Sequence, residues 1–514
     1  MFLKPTSAAL CLAILFLVGF ASPGGAQVSG QRQTQGKEQA KEQAQPQDVT
    51  AHVVNRLSYG PFPGEIERVK GIGLQAYIDS QLDPQSLPEP QALKDRLAAL
   101  KTASMDTVQL FRTYGPKAPG GPRPHPTIDE INSARAKAAI IAREAAEAKL
   151  WRAILSPRQL EELLCDFWYN HFNVPAAKGL AHLWVGSYER EAIRPFVLGK
   201  FEDMLQAVTR HPAMLIYLEN WQSASPESAV GKGQQRPLTE LHARELLAAH
   251  TFGPDAVLKP QDVTSLAMIL AGWSIGAPRG QNDKNGFLFD EKRHDNRDKS
   301  FLGATIKGAG MAEGVEALRM LALHPQTAKN VCTKLARFFV ADDPPKPLVE
   351  ALTKTYLDTK GDLRQVTRAL LTGQEFLGVK YAGGKFKNPL RYVVSIVRAS
   401  DRGVGEVRSL AEILEWLGMP LHDAPGTSGY KDVRDGWLSA ESLVNRLDLA
   451  VMAGKGALSC WATGPCGPPA PLDPEALLKT MGLTLTPVTR QAVDAAPAQL
   501  KAAILLGSPE GQQY

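Results

Sequence analysis

Residues 133–172 read SARAKAAIIAREAAEAKLWRAILSPRQLEELLCDFWYNHF. This is the densest helical pattern in the chain, and its apolar spacing predicts two helices broken at Ser156-Pro157. Ser156 is placed to cap the second helix, with Pro157 at its first position. The same period continues on both sides. Upstream, Val53, Val54 and Leu57 precede a Gly60-Pro61-Phe62-Pro63-Gly64 turn. Ile66, Val69, Ile72, Leu74, Tyr77, Ile78 and Leu82 then follow at helical spacing. Downstream, helices are expected near 187–207, 239–251, 260–272, 311–323, 325–340, 347–358 and 361–371. Further ones are expected near 387–400, 407–417, 439–453 and 473–481. Residues 115–126 (GPKAPGGPRPHP) form a long loop, because Pro and Gly forbid regular structure there. Gly286-Phe287-Leu288-Phe289-Asp290 is the best strand candidate, and no βαβ rhythm appears. The expected class is all-α: a large multi-helical body with at most a short β-hairpin near 286–303.

The chain has 514 residues, with 58 Lys+Arg against 53 Asp+Glu and 44% hydrophobic residues. That composition excludes wholesale disorder, and its even charge balance argues against a nucleic-acid binder. Lys4, the apolar run from Ala8 to Phe20 and the small residues ending at Ala26 have the layout of a cleavable secretory signal. Residues 1–26 are therefore expected as a signal peptide cut after Ala26, giving a periplasmic or secreted protein with no transmembrane segment. Residues 27–47 are a Gln-rich tether, 48–455 a helical domain and 456–514 a C-terminal extension. Removing Cys11 with the signal leaves an even number of cysteines in an oxidising compartment. Cys460 and Cys466 bracket a turn and are spaced for a small disulfide loop. Cys165 and Cys332 sit in helical patterns and are expected as buried thiols.

P-loop, H-E-x-x-H and C-x-x-C motifs are all absent. Three histidine-bearing segments remain. In the first, Phe167-Trp168-Tyr169-Asn170-His171-Phe172-Asn173, His171 at a helix C-terminus suits a proton donor, or simply bonds the last carbonyls. In the second, residues 239–250 (TELHARELLAAH), Thr239 is the expected N-cap and Glu240 pairs with Arg244 at i,i+4. Apolar residues surround that helix, so Arg244 and Glu245 are expected to be buried, either paired or functional. His242 and Glu245 at i,i+3 could ligate a metal or exchange a proton. The third, residues 290–299 (DEKRHDNRDK), is a solvated charge run, or else a loop in which the Glu291/His294 and His294/Asp295 pairs orient an imidazole or bind a cation.

With the N-terminal NRLSYGP (55–61), these segments resemble the bacterial domain-of-unknown-function 1800 family. Its order is matched from about residue 50 to 455: FWYNHF, ARELLAAHTFG, AGWSI, HDNRDKSFLG, HPQTAKNVCTKLARFFVADDPP and GYKDVRDGWLSAESLVNRLDLA. The resemblance implies an exported, predominantly helical protein. It also implies a co-exported sulfatase- or phosphatase-like protein of unknown function as a candidate partner. Family members carry asparagines where this chain has Thr239 and Leu241, and an apolar or aromatic residue at His242. The resemblance therefore favours Arg244, Glu245 and His250 over His242. It also favours Asn170, His171, His294, Asp295 and Lys299.

Two functions compete. One is an exported hydrolase or lyase acting on a polymer such as a polysaccharide. His171 or His294 would be its acid/base, Asp295 would orient a histidine and Glu245 would be a carboxylate partner. Arg244 and Lys299 would hold an anionic group. A metal-assisted form would gather His171, Glu245, His250 and His294 around a divalent ion. The other is a non-catalytic binding or assembly protein of the periplasm or cell surface, with Trp168, Trp184, Trp221, Trp273 and Trp437 lining a ligand groove.

Overall fold

Asp48 opens the first helix, α1 (Val49–Leu57), by accepting a hydrogen bond from Thr50 N at 2.8 Å. That satisfies one of the amides a helix start leaves free. The computed structural model describes residues 48–116, 127–232, 237–276, 285–400, 402, 404–458 and 470–514. Among them are 23 α-helices and two small antiparallel strand pairs, so the all-α class holds. The expected signal and tether, and both Cys460 and Cys466, fall outside the described residues. Cys165 and Cys332 are buried free thiols, as expected.

The decisive stretch forms α2 (Ile128–Leu155) and α3 (Gln159–His171). The break lies at Ser156-Pro157 as expected, since Pro157 brings no N–H to the ladder. The second helix starts later than expected. Ser156 Oγ accepts from Arg158 N at 3.1 Å, closing a turn, and Arg158 stands at the N-cap.

Two expected helices are not regular. The 187–207 region runs as a short α-turn (Val185–Tyr188), a π-turn (Glu189–Ile193) and a 3₁₀ turn (Arg194–Phe196). Pro195 interrupts it before α4 (Phe201–Arg210). The 239–251 region is α5 (Leu241–Glu245), widening into a π-helix over Leu246–Phe252. Thr239 does not cap it, and its N–H goes to Ser223 Oγ at 3.1 Å. π-turns recur at functional sites.

Downstream lie α6 (Pro260–Leu270), α7 (Met311–Ala322), α8 (Pro325–Phe339), α9 (Pro389–Ala399) and α10 (Ala440–Gly454). Three of these begin with Pro at the first position, where its missing N–H costs nothing. The strand content exceeds the single expected hairpin. β1 (Trp273–Ile275) pairs with β2 (Phe287–Phe289), and β3 (Lys299–Phe301) pairs with β4 (Ala304–Ile306). The expected strand at 286–290 is real, but its partner lies upstream.

One connected apolar core takes residues from Ala51 to Leu506. α10 lies along α11 (Ala498–Gly507), and the contact is close at Gly454. A Cβ there would come within 2.8 Å of Ala503 N. No helix among the described residues is long and apolar enough to cross a membrane.

Candidate active site

The C-terminal end of α3 delivers Asp166, Tyr169, Asn170 and His171 to one wall of a cavity of about 320 Å³. Trp168, one turn back, is buried and meets the His171 ring edge-on, centroids 5.3 Å apart, which fixes the imidazole. His171 Nε2 lies 3.0 Å from the His250 carbonyl, and its Nδ1 lies 3.0 Å from Lys334 Nζ. A carbonyl only accepts, so Nε2 carries the proton and Nδ1 accepts from lysine. Burial, with Lys334 beside it, keeps the imidazole pKa well below its ordinary value. Burial also lowers the Lys334 ammonium to about 8, with Arg337 adding repulsion.

The facing wall is the 419–437 segment. Asn170 Nδ2 donates to Tyr430 O at 2.8 Å, and Tyr430 N donates to Asn170 Oδ1 at 2.6 Å. This two-way amide pair docks the segment as a neighbouring strand would. Gly429 makes the approach feasible: its φ is 65°, and a Cβ would collide with Asn170 oxygens. Asp432 then faces the cavity. Its Oδ2 makes no hydrogen bond among the described residues and is ion-paired with Lys385 Nζ at 3.6 Å. Burial lifts this carboxyl to about 6 despite Lys385.

Behind this cavity stands a wall of buried charge. Lys149 Nζ lies 2.8 Å from Asp166 and 3.5 Å from Glu189. Arg194 forks onto Glu162 with two bonds of 2.8 Å and reaches Glu189 at 3.1 Å. His422 Nε2 lies 3.0 Å from Glu189, and its backbone is left-handed at φ 57°. Burial alone would raise the Glu189 carboxyl, but Lys149, His422 and Arg194 hold it well below the usual range. Lys149 and His422 also line a second cavity of about 310 Å³, so the charged wall separates two hollows.

A family profile described as "Protein of unknown function (DUF1800)" matches residues 52–513. The chain belongs to that family. No curated protein and no solved structure matches it.

The DUF1800 fold gathers only part of the expected residue set. His171 lines the first cavity, and His250 sits beside it, the two ring centroids 6.3 Å apart. His250 contributes its backbone carbonyl; the residue is 1% exposed, and neither ring nitrogen has a hydrogen-bond partner among the described residues. Arg244 is exposed rather than buried, held by Glu240 at 3.3 Å, because it points off the packed face of α5. Glu245 is half-buried; burial raises the Tyr217 hydroxyl pKa, and the Glu245 charge raises it further.

His294, Asp295 and Lys299 belong to a separate cluster around Glu313. Glu313 Oε1 lies 2.9 Å from His294 Nε2 and Oε2 lies 2.6 Å from Lys299 Nζ. Asp295 pairs with Arg297 at 2.7 Å rather than orienting His294, whose Nδ1 faces the Ala271 carbonyl at 2.8 Å. Among the described residues no three His, Cys, Asp or Glu side chains are grouped to hold a metal. The quartet of His171, Glu245, His250 and His294 is therefore not assembled. Of the five tryptophans expected to line a groove, Trp437 lines the cavity, Trp168, Trp184 and Trp273 are buried in the core, and Trp221 packs against it.

Lys149, Asp166, Glu189, Lys334, His422 and Asp432 were not among the expected site residues. Lys334 lies within the HPQTAKNVCTKLARFF segment and Asp432 within GYKDVRDGW, so family segments had flagged both neighbourhoods.

Proposed function

We propose that this chain is an exported acid–base enzyme, a hydrolase or lyase acting on a polymer such as a polysaccharide. The reaction is assigned to the cavity between the end of α3, α8 and the 419–437 segment. One observation carries the reading. An ammonium whose only side-chain partner among the described residues is a neutral imidazole lines the same cavity as a carboxylate whose Oδ2 makes no hydrogen bond there and meets Lys385 at 3.6 Å. With values near 8 and 6, Lys334 is mostly protonated and Asp432 mostly ionised at neutral pH. Those are the states a general acid and a general base need.

In hydrolysis, Asp432 takes a proton from water as its oxygen attacks. The bond to the leaving oxygen then breaks, and Lys334 supplies that oxygen's proton. In elimination, Asp432 takes a proton from carbon, a carbon–carbon double bond forms, and Lys334 again protonates the leaving oxygen. His171 holds the Lys334 amine in place. The cavity volume is at the small end of ligand sites, about 300–1,000 Å³, which fits the end of a chain better than a long stretch of it.

The test is incubation of the purified chain with neutral and acidic polysaccharides. New reducing ends report either cleavage, and ultraviolet absorbance of unsaturated ends reports elimination. Activity should be bell-shaped in pH with limbs near 6 and 8. Lys334→Met and Asp432→Asn should each lower it by about 100-fold or more while the fold persists. Turnover unchanged in both variants would defeat the assignment, and no turnover on any polymer would leave a binding or assembly role.

A further inference from the structure

Three cations on the walls of the first cavity have no carboxylate within ion-pair distance among the described residues: Lys334, Arg337 and Lys431. Lys334 has His171 Nδ1 and, at 3.5 Å, the Ala249 carbonyl. Arg337 donates Nε to the Asp342 carbonyl at 3.0 Å. The nearby acids are engaged elsewhere. Asp166 pairs with Lys149, and Asp432 faces Lys385. Asp342 binds Lys385 Nζ at 2.7 Å and accepts from Arg434 N at 2.8 Å. Positive charge left unbalanced in a partly enclosed hollow favours an anionic occupant.

The rest of the lining is aromatic. The Tyr430 and Trp437 rings lie 5.5 Å apart, and Trp437 Nε1 is anchored to the Lys431 carbonyl at 2.8 Å. Phe338 closes the same hollow. Flat apolar faces beside a few convergent polar groups are how a ring-shaped ligand is held.

We propose that the cavity binds a sugar-sized ring bearing an anionic group, with the anion toward Arg337, Lys334 and Lys431 and the ring face against Trp437. The carboxylate of a uronic acid, a sulfate ester and a phosphate ester share that chemistry. Only the description of this ring as a substrate unit rests on the proposed function; its binding is measured without turnover.

The full chain is titrated with glucuronate, glucose 6-sulfate, glucose 6-phosphate, glucose and inorganic sulfate at constant ionic strength. Tryptophan fluorescence and thermal midpoint are followed. At least one anionic sugar should bind about tenfold more tightly than both glucose and inorganic sulfate, and the best of the three names the anion. Arg337→Met and Lys431→Met should each weaken it by about tenfold, and Trp437→Ala should abolish the fluorescence change. Lys431 is exposed, so its variant carries little risk to folding. Anionic sugars no better than glucose, equal binding of inorganic sulfate, or undiminished binding in Arg337→Met and Lys431→Met would each overturn the proposal. Binding without turnover of any polymer defeats the catalytic reading alone; turnover without anion selectivity defeats this inference alone.

Discussion

Lys334 Nζ lies 3.0 Å from His171 Nδ1, while the other nitrogen of that imidazole is tied to the His250 carbonyl. The ring is thereby locked as an acceptor toward the lysine and has no proton of its own to give it. Replacing it by an apolar side chain removes the ammonium's acceptor and disfavours the charged form. His171→Leu should therefore lower the Lys334 pKa below about 8 and move the alkaline limb of activity to lower pH. A pH–rate profile of variant against wild type measures the displacement. An unmoved limb would show that Lys334 does not set it.

The Lys149–Asp166–Glu189 contacts give a stability prediction of large size. Lys149 is 7% exposed and lies between two carboxylates that are 15% and 9% exposed. Removing one member of a buried ion network strands its partners, at a cost of about 3–5 kcal/mol. Lys149→Met should destabilise by that order in denaturant unfolding, with the unfolding slope unchanged. A loss below about 1 kcal/mol would mean that water reaches the carboxylates and screens them.

How far the sequence carried depended on the range of the interaction. The helical class followed from local periodicity, and the break at Ser156-Pro157 followed from proline's missing N–H. The π-turns at Glu189 and His250 did not, because nothing in local spacing separates a π-turn from an α-turn. Arg244 was misjudged for a related reason. A helical wheel that is apolar nearly all round does not say which side meets solvent, and here Arg244 meets it. His171 was legible from its place at the end of a helical run and from the FWYNHF motif of the family. Lys334, Asp432 and His422 reach the site from 163 to 261 residues further along the chain, through packing that periodicity does not encode.

The His294–Glu313–Lys299 cluster should separate structure from chemistry. Glu313 receives both basic side chains and also the amides of Ala309 and Gly310, which ties the 290–310 loop to the start of α7. All three side chains are essentially sealed from solvent. Lys299→Met leaves Glu313 short of a partner and should cost about 3–5 kcal/mol. Since none of the three lines the cavity, the turnover number of the folded fraction should stay within about twofold of wild type. A selective loss of turnover at unchanged stability would return these residues to the active site.

Acid should unfold this protein early, and the sign follows from its buried histidines. Burial is the first cause in each case. It lowers His52 to about 4 and His211, His242 and His250 to about 3, and holds His171 well below its ordinary value. In the unfolded chain all five return to about 6.5. Between that value and their folded values the unfolded state binds more protons, so stability falls as pH falls below about 6.5. Asp432 runs the other way: its folded value is raised to about 6, so it gains stability as pH drops from 6 toward 3.8. Five histidines less one carboxyl leave a net uptake of about four protons on unfolding. Each is worth up to about 1.4 kcal/mol per pH unit, so going from pH 7.5 to 5.5 should cost on the order of 5 kcal/mol. Denaturant midpoints across that range measure it directly. His242→Phe should reduce the slope by about one proton, because neither His242 nitrogen has a hydrogen-bond partner among the described residues to lose. A flat stability between pH 7.5 and 5.5 would mean that these rings are already charged in the folded state.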